Sequence, residues 1–160
     1  MSYVIPSEFV TKMVDTGESK LCMSTRDTLI RAFMAGAILA LAAVFAITVT
    51  VQTGSALLGA VLFPVGFIML YLMGFDLLTG VFMLTPLAWL DRREGVTIGG
   101  ILQHWGWVFL GNFAGALTVA VLMGFVFTYG FSIEAGEVGQ QISHIGEDRT
   151  LGYAEYGLAG

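Results

Sequence analysis

Asp76 is the only ionised side chain between Ala32 and Leu90, and it interrupts an apolar run, FPVGFIMLYLMGFDLLTG, over residues 63–80. A carboxylate at the centre of a hydrocarbon-spanning segment costs about 2.5 to 3.5 kcal/mol on insertion scales, so it belongs in buried protein or beside water. Gly74 reaches backbone angles closed to other residues, and Asp76 is suited to N-cap a helix starting at Leu77. The pattern predicts two half-helices joined by an irregular loop at Gly74, Phe75 and Asp76. At membrane depth such backbone is tolerated only where protein buries it or it lines a water-filled cavity, and half-helix ends there are typical of substrate and ion sites in transporters. The chemistry expected at the break is passage of a solute. Asp76 itself reads as a structural cap, with a proton carrier as the sharper alternative.

Other chemistries lack their residue sets. Ser/His/Asp hydrolysis, a phosphate loop and a metal cluster are all missing from the sequence, so no enzyme, catalytic residue, metal or cofactor is expected. The single cysteine, Cys22, excludes an internal disulfide. Net charge of -5 argues against nucleic acid as a partner. His104, next to Trp105, reads as an interfacial side chain.

The elements that position the break follow from composition. Of 160 residues 56% are hydrophobic and 12% charged, with mean hydropathy +0.82, which describes an all-α integral membrane protein rather than a soluble fold. No residue from Gly95 to Ile133 is charged, so this interval also belongs in lipid. Residues 1–28 read as a cytoplasmic amphipathic segment, polar rather than signal-peptide-like, with a short helix over 7–14 capped by Ser7 and ended by Gly17. The first spanning segment is residues 29–53, with Gly36, Ala40 and Ala43 on one close-packing face. The second, residues 56–90, is broken as described and carries Pro64 and Pro86, each able to bend its half. The third is residues 99–131, where Gly111 and Gly115, with Ala116, Ala120 and Gly124, suggest a helix-packing face. Trp105 and Trp107 near one end and Tyr129 near the other fit interfacial anchors, and Asn112 fits an interhelical hydrogen bond. Lys12, Lys20, Arg26 and Arg31 before the first segment and Arg92 and Arg93 after the second place both flanks, and the N-terminus, in the cytoplasm. Residues 132–160 then form an extracytoplasmic loop leading toward a fourth segment.

Two stretches resemble a known family. Gly74 to Gly80, GFDLLTG, is similar to the loop motif of the formate/nitrite transporter family of pentameric anion channels, and Trp105 to Ala116, WGWVFLGNFAGA, is similar to its third helix. Pro6-Ser7-Glu8 with Gly17 and Lys20 resembles its entry helix. The sequence departs from the motif at Phe75, where a small residue is usual, and at Leu78, where an aromatic is frequent.

The resemblance implies an aquaporin-like fold of two inverted halves, of which this chain looks like the first. Neither His104 nor His144 matches the context of the family's central histidine. The resemblance further implies a homopentamer in a bacterial inner membrane, multi-pass, that carries small monovalent anions such as formate, nitrite or acetate in proton-linked form. It places the constriction at Phe63, Phe67 and Leu77, sets Thr79 opposite the central histidine, and makes Asp76 a brace of the loop. It also offers Arg149 for the outer vestibule. From spacing alone, Phe63 and Phe67 share a helix face and could equally be lipid-facing or core. Two other functions stay open at this point: a non-conducting half that needs a second half, and a channel for neutral small solutes.

Overall fold

The computed structural model describes residues 5–156, with side chains as far as Leu151. Every regular element among the described residues is helical, and three helical stretches are long and apolar enough to cross a membrane: Thr25–Thr53, Ala56–Met73 and Ile98–Phe127. The chain divides into two compact units. One takes the chain up to Ile38 together with Met69–Leu117, and the other takes Leu39–Ile68 together with the chain from Thr118.

In the first unit, α1 runs Pro6–Leu21, longer than the expected 7–14 helix. Pro6 sits in the first turn, where its missing N–H costs nothing, and Ile5 is the N-cap residue, so Ser7 does not cap. Gly17 does not end the helix. A Cβ there would overlap the carbonyl of Leu84, so its lack of a side chain lets α1 lie directly against α5 (Leu78–Leu90). Met13 is half-buried and Val14 buried, while Phe9 and Val10 stay exposed.

The next helix, α2 (Thr25–Thr53), begins four residues before the expected 29–53 segment, because Ser24 caps it. The Ser24 hydroxyl accepts from the Asp27 amide at 3.1 Å and donates to the Asp27 carboxylate at 2.7 Å. α2 and α6 (Ile98–Phe127) meet through glycines. A Cβ on Gly36 would overlap the Asn112 carbonyl, one on Gly111 would meet Ala32, and one on Gly115 would overlap the Phe33 carbonyl. The small-residue face of the third span thus packs within its own chain, as close approach of two backbones requires. Ala32, Val81 and Val108 form the small core beside this crossing.

The loop between α5 and α6 is tied back to α1. Arg93 donates to Asp15 at 2.7 Å and to Asp91 at 2.9 Å, and lies 3.3 Å from Glu18. Desolvation works to lower the Arg93 pKa, but the hydrogen bond to Asp91 and the charges of Asp15, Glu18 and Asp91 outweigh it and hold the guanidinium above its ordinary range.

In the second unit, Ser55 caps α3 (Ala56–Leu62), accepting from the Leu58 amide at 3.4 Å. Pro64 does more than bend the segment: it opens a separate helix, α4 (Pro64–Met73), with Phe63 at the joint. Gly59 fits against Thr50 and the Ala46 carbonyl of α2. α6 stops at Phe127, short of the expected 131, and Tyr129, Gly130 and Phe131 then take left-handed angles.

The reading of residues 132–160 as a loop is corrected, since Glu137–Tyr156 forms a helix, α7. Its glycines mislead, because Gly139 is a contact residue, where a Cβ would run into Ala135 and the Phe127 side chain. Local pairs at i,i+4 add support: Ser143 with Glu147 at 3.3 Å and His144 with Asp148 at 3.0 Å. The residues from 157 onward, where the loop was expected to lead into a fourth segment, lie outside those described.

Candidate functional site: a braced helix break

The break lies where the sequence places it. α4 ends on Met73, Gly74 takes φ 68°, and the amides of Gly74 and Phe75 return to the carbonyls of Tyr71 (3.2 Å) and Leu70 (3.0 Å). Two crossed bonds around a left-handed glycine make a Schellman end, which closes the helix while satisfying its last carbonyls. Leu77 is extended (φ -97°, ψ 136°) and α5 begins at Leu78.

Asp76 is not the N-cap. That position belongs to Leu77, whose side chain cannot cap, and the missing acceptor comes from another helix. Asn112 Oδ1 accepts from the Leu78 amide at 2.9 Å, while its Nδ2 donates to the Asp76 carbonyl and the Ala32 carbonyl, each at 2.8 Å. One amide side chain on α6 therefore joins the loop, the start of α5 and α2. Asn112 is the interhelical hydrogen-bonding residue that its type suggests.

The Asp76 carboxylate is used differently. It is fully buried, and its Oδ1 accepts from the Lys20 ammonium at the end of α1. Its Oδ2 has no hydrogen-bond partner among the described residues. A buried carboxylate is tenable when a cation meets it and costly when none does, so Lys20 is what permits the acid at this depth. Arg31 adds a longer bond, Nη1 donating to the Gly74 carbonyl at 3.3 Å. Phe75 and Leu77 are half-buried, and Thr79 is exposed in the single chain.

Other expected site residues fall in the second unit. Phe63 and Phe67 meet edge to face at 5.5 Å between ring centroids. Arg149 stands exposed on α7 rather than on a loop.

Trp105 is half-buried and committed within the chain: its indole N–H donates to Thr85 Oγ1 at 2.9 Å and to the Val81 carbonyl at 3.3 Å, and its ring packs on Phe82 at 4.4 Å. It reinforces α5 beside Pro86, which leaves the neighbouring Phe82 carbonyl without its helical donor. His104 is buried within the chain, at 6% exposure.

Sequence reasoning missed the Lys20–Asp76 pair, although a lone buried acid demands a cation. The sequence offers four basic residues from Lys12 to Arg31, and only the turn between α1 and α2 selects Lys20 among them.

Comparison with known proteins matches residues 7–155 to the formate/nitrite transporter family. The chain is 31% identical over 130 residues to the uncharacterized transporter YrhG of Bacillus subtilis, a match covering 78% of this chain and 48% of that protein. It is 29% identical over 130 residues to the formate channel BtFdhC of Bacillus thuringiensis (78% and 49%) and 30% identical over 127 residues to the formate channel FocA of Escherichia coli K12 (75% and 43%). The chain thus spans about half the length of these relatives. No solved structure matches it. The match extends over nearly the whole chain, from the entry helix through α7, and the chain belongs to the formate/nitrite transporter family.

Proposed function

We propose that this chain supplies the first half of an aquaporin-like, inverted-repeat channel for small monovalent anions of the formate, nitrite and acetate type. The observation that carries the reading is the helix break braced from three sides, by Lys20 of α1, Arg31 of α2 and Asn112 of α6. A break at membrane depth is costly to hold, and three helices converge to fix this one in a single shape. Two of the relatives it resembles are formate channels by name.

In this reading Phe63, Phe67, Leu77 and Thr79 line the path, and Gly74, Phe75 and Asp76 shape its loop. An anion does not cross an apolar constriction cheaply as an ion, so it passes as the neutral acid after taking up a proton. The assembly is a homopentamer in a bacterial inner membrane, with the N-terminus cytoplasmic and Arg149 in the outer vestibule. In this reading the completed channel conducts solute and carries out no catalysis.

The test is uptake of radiolabelled formate, nitrite and acetate by liposomes holding the intact natural protein, with and without an inward proton gradient. Uptake that rises with the gradient supports the reading. Solute-independent swelling in stopped flow, with no labelled uptake, would replace it with a neutral-solute channel.

A further inference from the structure

Arg92, just past the end of α5, takes φ 58°. That left-handed angle is costly for any residue with a Cβ and free for glycine. The Arg92 amide donates to the Trp89 carbonyl at 3.0 Å and the Arg93 amide to the Ala88 carbonyl at 3.1 Å, so α5 closes on the same pair of crossed bonds as α4. At the end of α4 the left-handed position is Gly74; here it is an arginine. Strained backbone of this kind clusters at ligand clamps and switch regions, so the side chain it holds calls for a use.

The surroundings of Arg92 supply one. With Trp89, Leu90, Arg93 and Val96 it lines a surface hollow of about 540 Å³. The two arginines differ. Arg93 is engaged with Asp15, Glu18 and Asp91, whereas Arg92 is exposed and makes no ion pair among the described residues. None of the lining residues is acidic, and Glu94, the remaining acid of the turn, is not among them. One unneutralised guanidinium therefore stands in the hollow. The rest of the wall is apolar and continues along the helix. α5 buries Val81, Leu84, Thr85 and Ala88 and leaves Phe82, Met83, Trp89 and Leu90 exposed, so Trp89 and Leu90 end an apolar stripe that begins two turns earlier on the same face. The charged turn begins at Asp91, directly after this stripe. Hydrocarbon gives way to headgroups at such a boundary, where tryptophan is enriched.

We propose that this hollow binds one anionic phospholipid, its phosphate held by the Arg92 guanidinium and its acyl chain laid along Trp89, Leu90, Met83 and Phe82. A guanidinium meets phosphate oxygens through parallel N–H donors, and basic pockets at the ends of spanning helices take anionic head groups. An amphiphile matches both the cation and the stripe, whereas a soluble anion would use only the first. The site is independent of the reading given to the helix break.

The test uses the intact natural protein in phosphatidylcholine nanodiscs with a rising share of phosphatidylglycerol, isotope-labelled at the tryptophan indole nitrogens. The Trp89 resonance, assigned by its loss in Trp89→Phe, should shift and saturate while phosphatidylglycerol is still the minor lipid. Trp105, whose N–H is given to Thr85, should not move. Arg92→Gly is the deciding variant, because glycine relieves the left-handed strain. Its thermal unfolding midpoint should hold or rise, while its apparent preference for phosphatidylglycerol falls by about tenfold, the scale of one charge-assisted hydrogen bond. Arg26→Gln, which removes an exposed cation outside the hollow, should leave that preference unchanged. A wild-type shift that grows in proportion to phosphatidylglycerol without saturating, or an unchanged preference in Arg92→Gly, means that only general surface charge is felt and overturns the site. Inorganic phosphate that saturates the same shift in pure phosphatidylcholine discs overturns the lipid in favour of a soluble anion. A shift that follows the number of protein copies per disc instead of the lipid shows that a neighbouring chain covers the hollow, and overturns it as well.

Discussion

The Lys20 ammonium and the Asp76 carboxylate, 56 residues apart, form an ion pair in which the acid is wholly buried and the lysine side chain is only 12% exposed. Neither group is tenable alone at that depth. Removing one partner of a buried pair leaves an uncompensated charge, whereas removing both with apolar replacements is frequently neutral. Lys20→Met should therefore lower the unfolding free energy by about 3 to 5 kcal/mol. The double variant Lys20→Met/Asp76→Leu should recover most of that loss. Equilibrium unfolding in detergent micelles across the four members of the cycle measures the coupling. A double variant no more stable than Lys20→Met would show that the lysine acts through packing alone.

Asn112 makes three bonds with one side chain, and its substitutions separate them. Asn112→Leu leaves the Leu78 amide and the Asp76 carbonyl without this partner, at about 1 to 3 kcal/mol for each group that stays dry, while the Ala32 carbonyl keeps its bond within α2. Asn112→Asp keeps an acceptor for the Leu78 amide and loses both donors. Hydrogen exchange at Leu78 should accelerate strongly in the leucine variant and little in the aspartate variant, although both are less stable than wild type. Equal acceleration would mean that the amide is protected by the α5 fold and not by the Asn112 acceptor.

The glycines of α6 are not equivalent. A Cβ at Gly115 would overlap the Phe33 carbonyl and crowd the Ala37 amide, backbone atoms that cannot turn aside, whereas one at Gly106 meets nothing within 4 Å. Gly115→Ala should therefore destabilise by about 1 to 3 kcal/mol through forced separation of α2 and α6. Gly106→Ala should stabilise by about 0.5 to 1 kcal/mol, since it removes a flexible residue from a helix interior. Thermal unfolding of the two variants side by side checks the contrast.

The helices and the break were legible in the sequence because lipid simplifies the pattern. Long uncharged runs, Gly74 followed by a lone acid, and GxxxG spacing at Gly111 and Gly115 each have one dominant physical reading. What stayed hidden depended on which surfaces meet. Gly17 looks like a helix stop until α5 is seen against it, and Gly139 looks like loop until Phe127 and Ala135 are seen beside it. Trp105 and His104 resemble membrane-interface residues because their types are common there, and their commitments within the chain show only in the fold. Asp76 reads as a cap from its own neighbours. Its real partner sits at the far end of α1, and the cap it seemed to provide comes from Asn112 instead.

Phe75 and Leu77, the two half-buried side chains of the break, should respond differently to truncation. Phe75 stands where the family motif usually has a small residue, and its amide is already committed to closing α4 through the Leu70 carbonyl. An aromatic ring fixed at that point stiffens the loop. Leu77, extended at the N-cap of α5, has no backbone duty of its own beyond starting the helix, and under the proposed function it is the gate. A fully buried Phe→Ala change costs about 3 to 5 kcal/mol. With the ring only half-buried, Phe75→Ala should cost about half as much and leave selectivity among acids unchanged. Leu77→Ala should change stability little and raise the flux of lactate-sized acids relative to formate. Both are read in the same liposome uptake assay on the intact natural protein, with unfolding measured on the same preparations. If Phe75→Ala admits the larger acids and Leu77→Ala is silent, the ring rather than the leucine sets the size limit, and the departure from the motif at position 75 is itself the selectivity determinant.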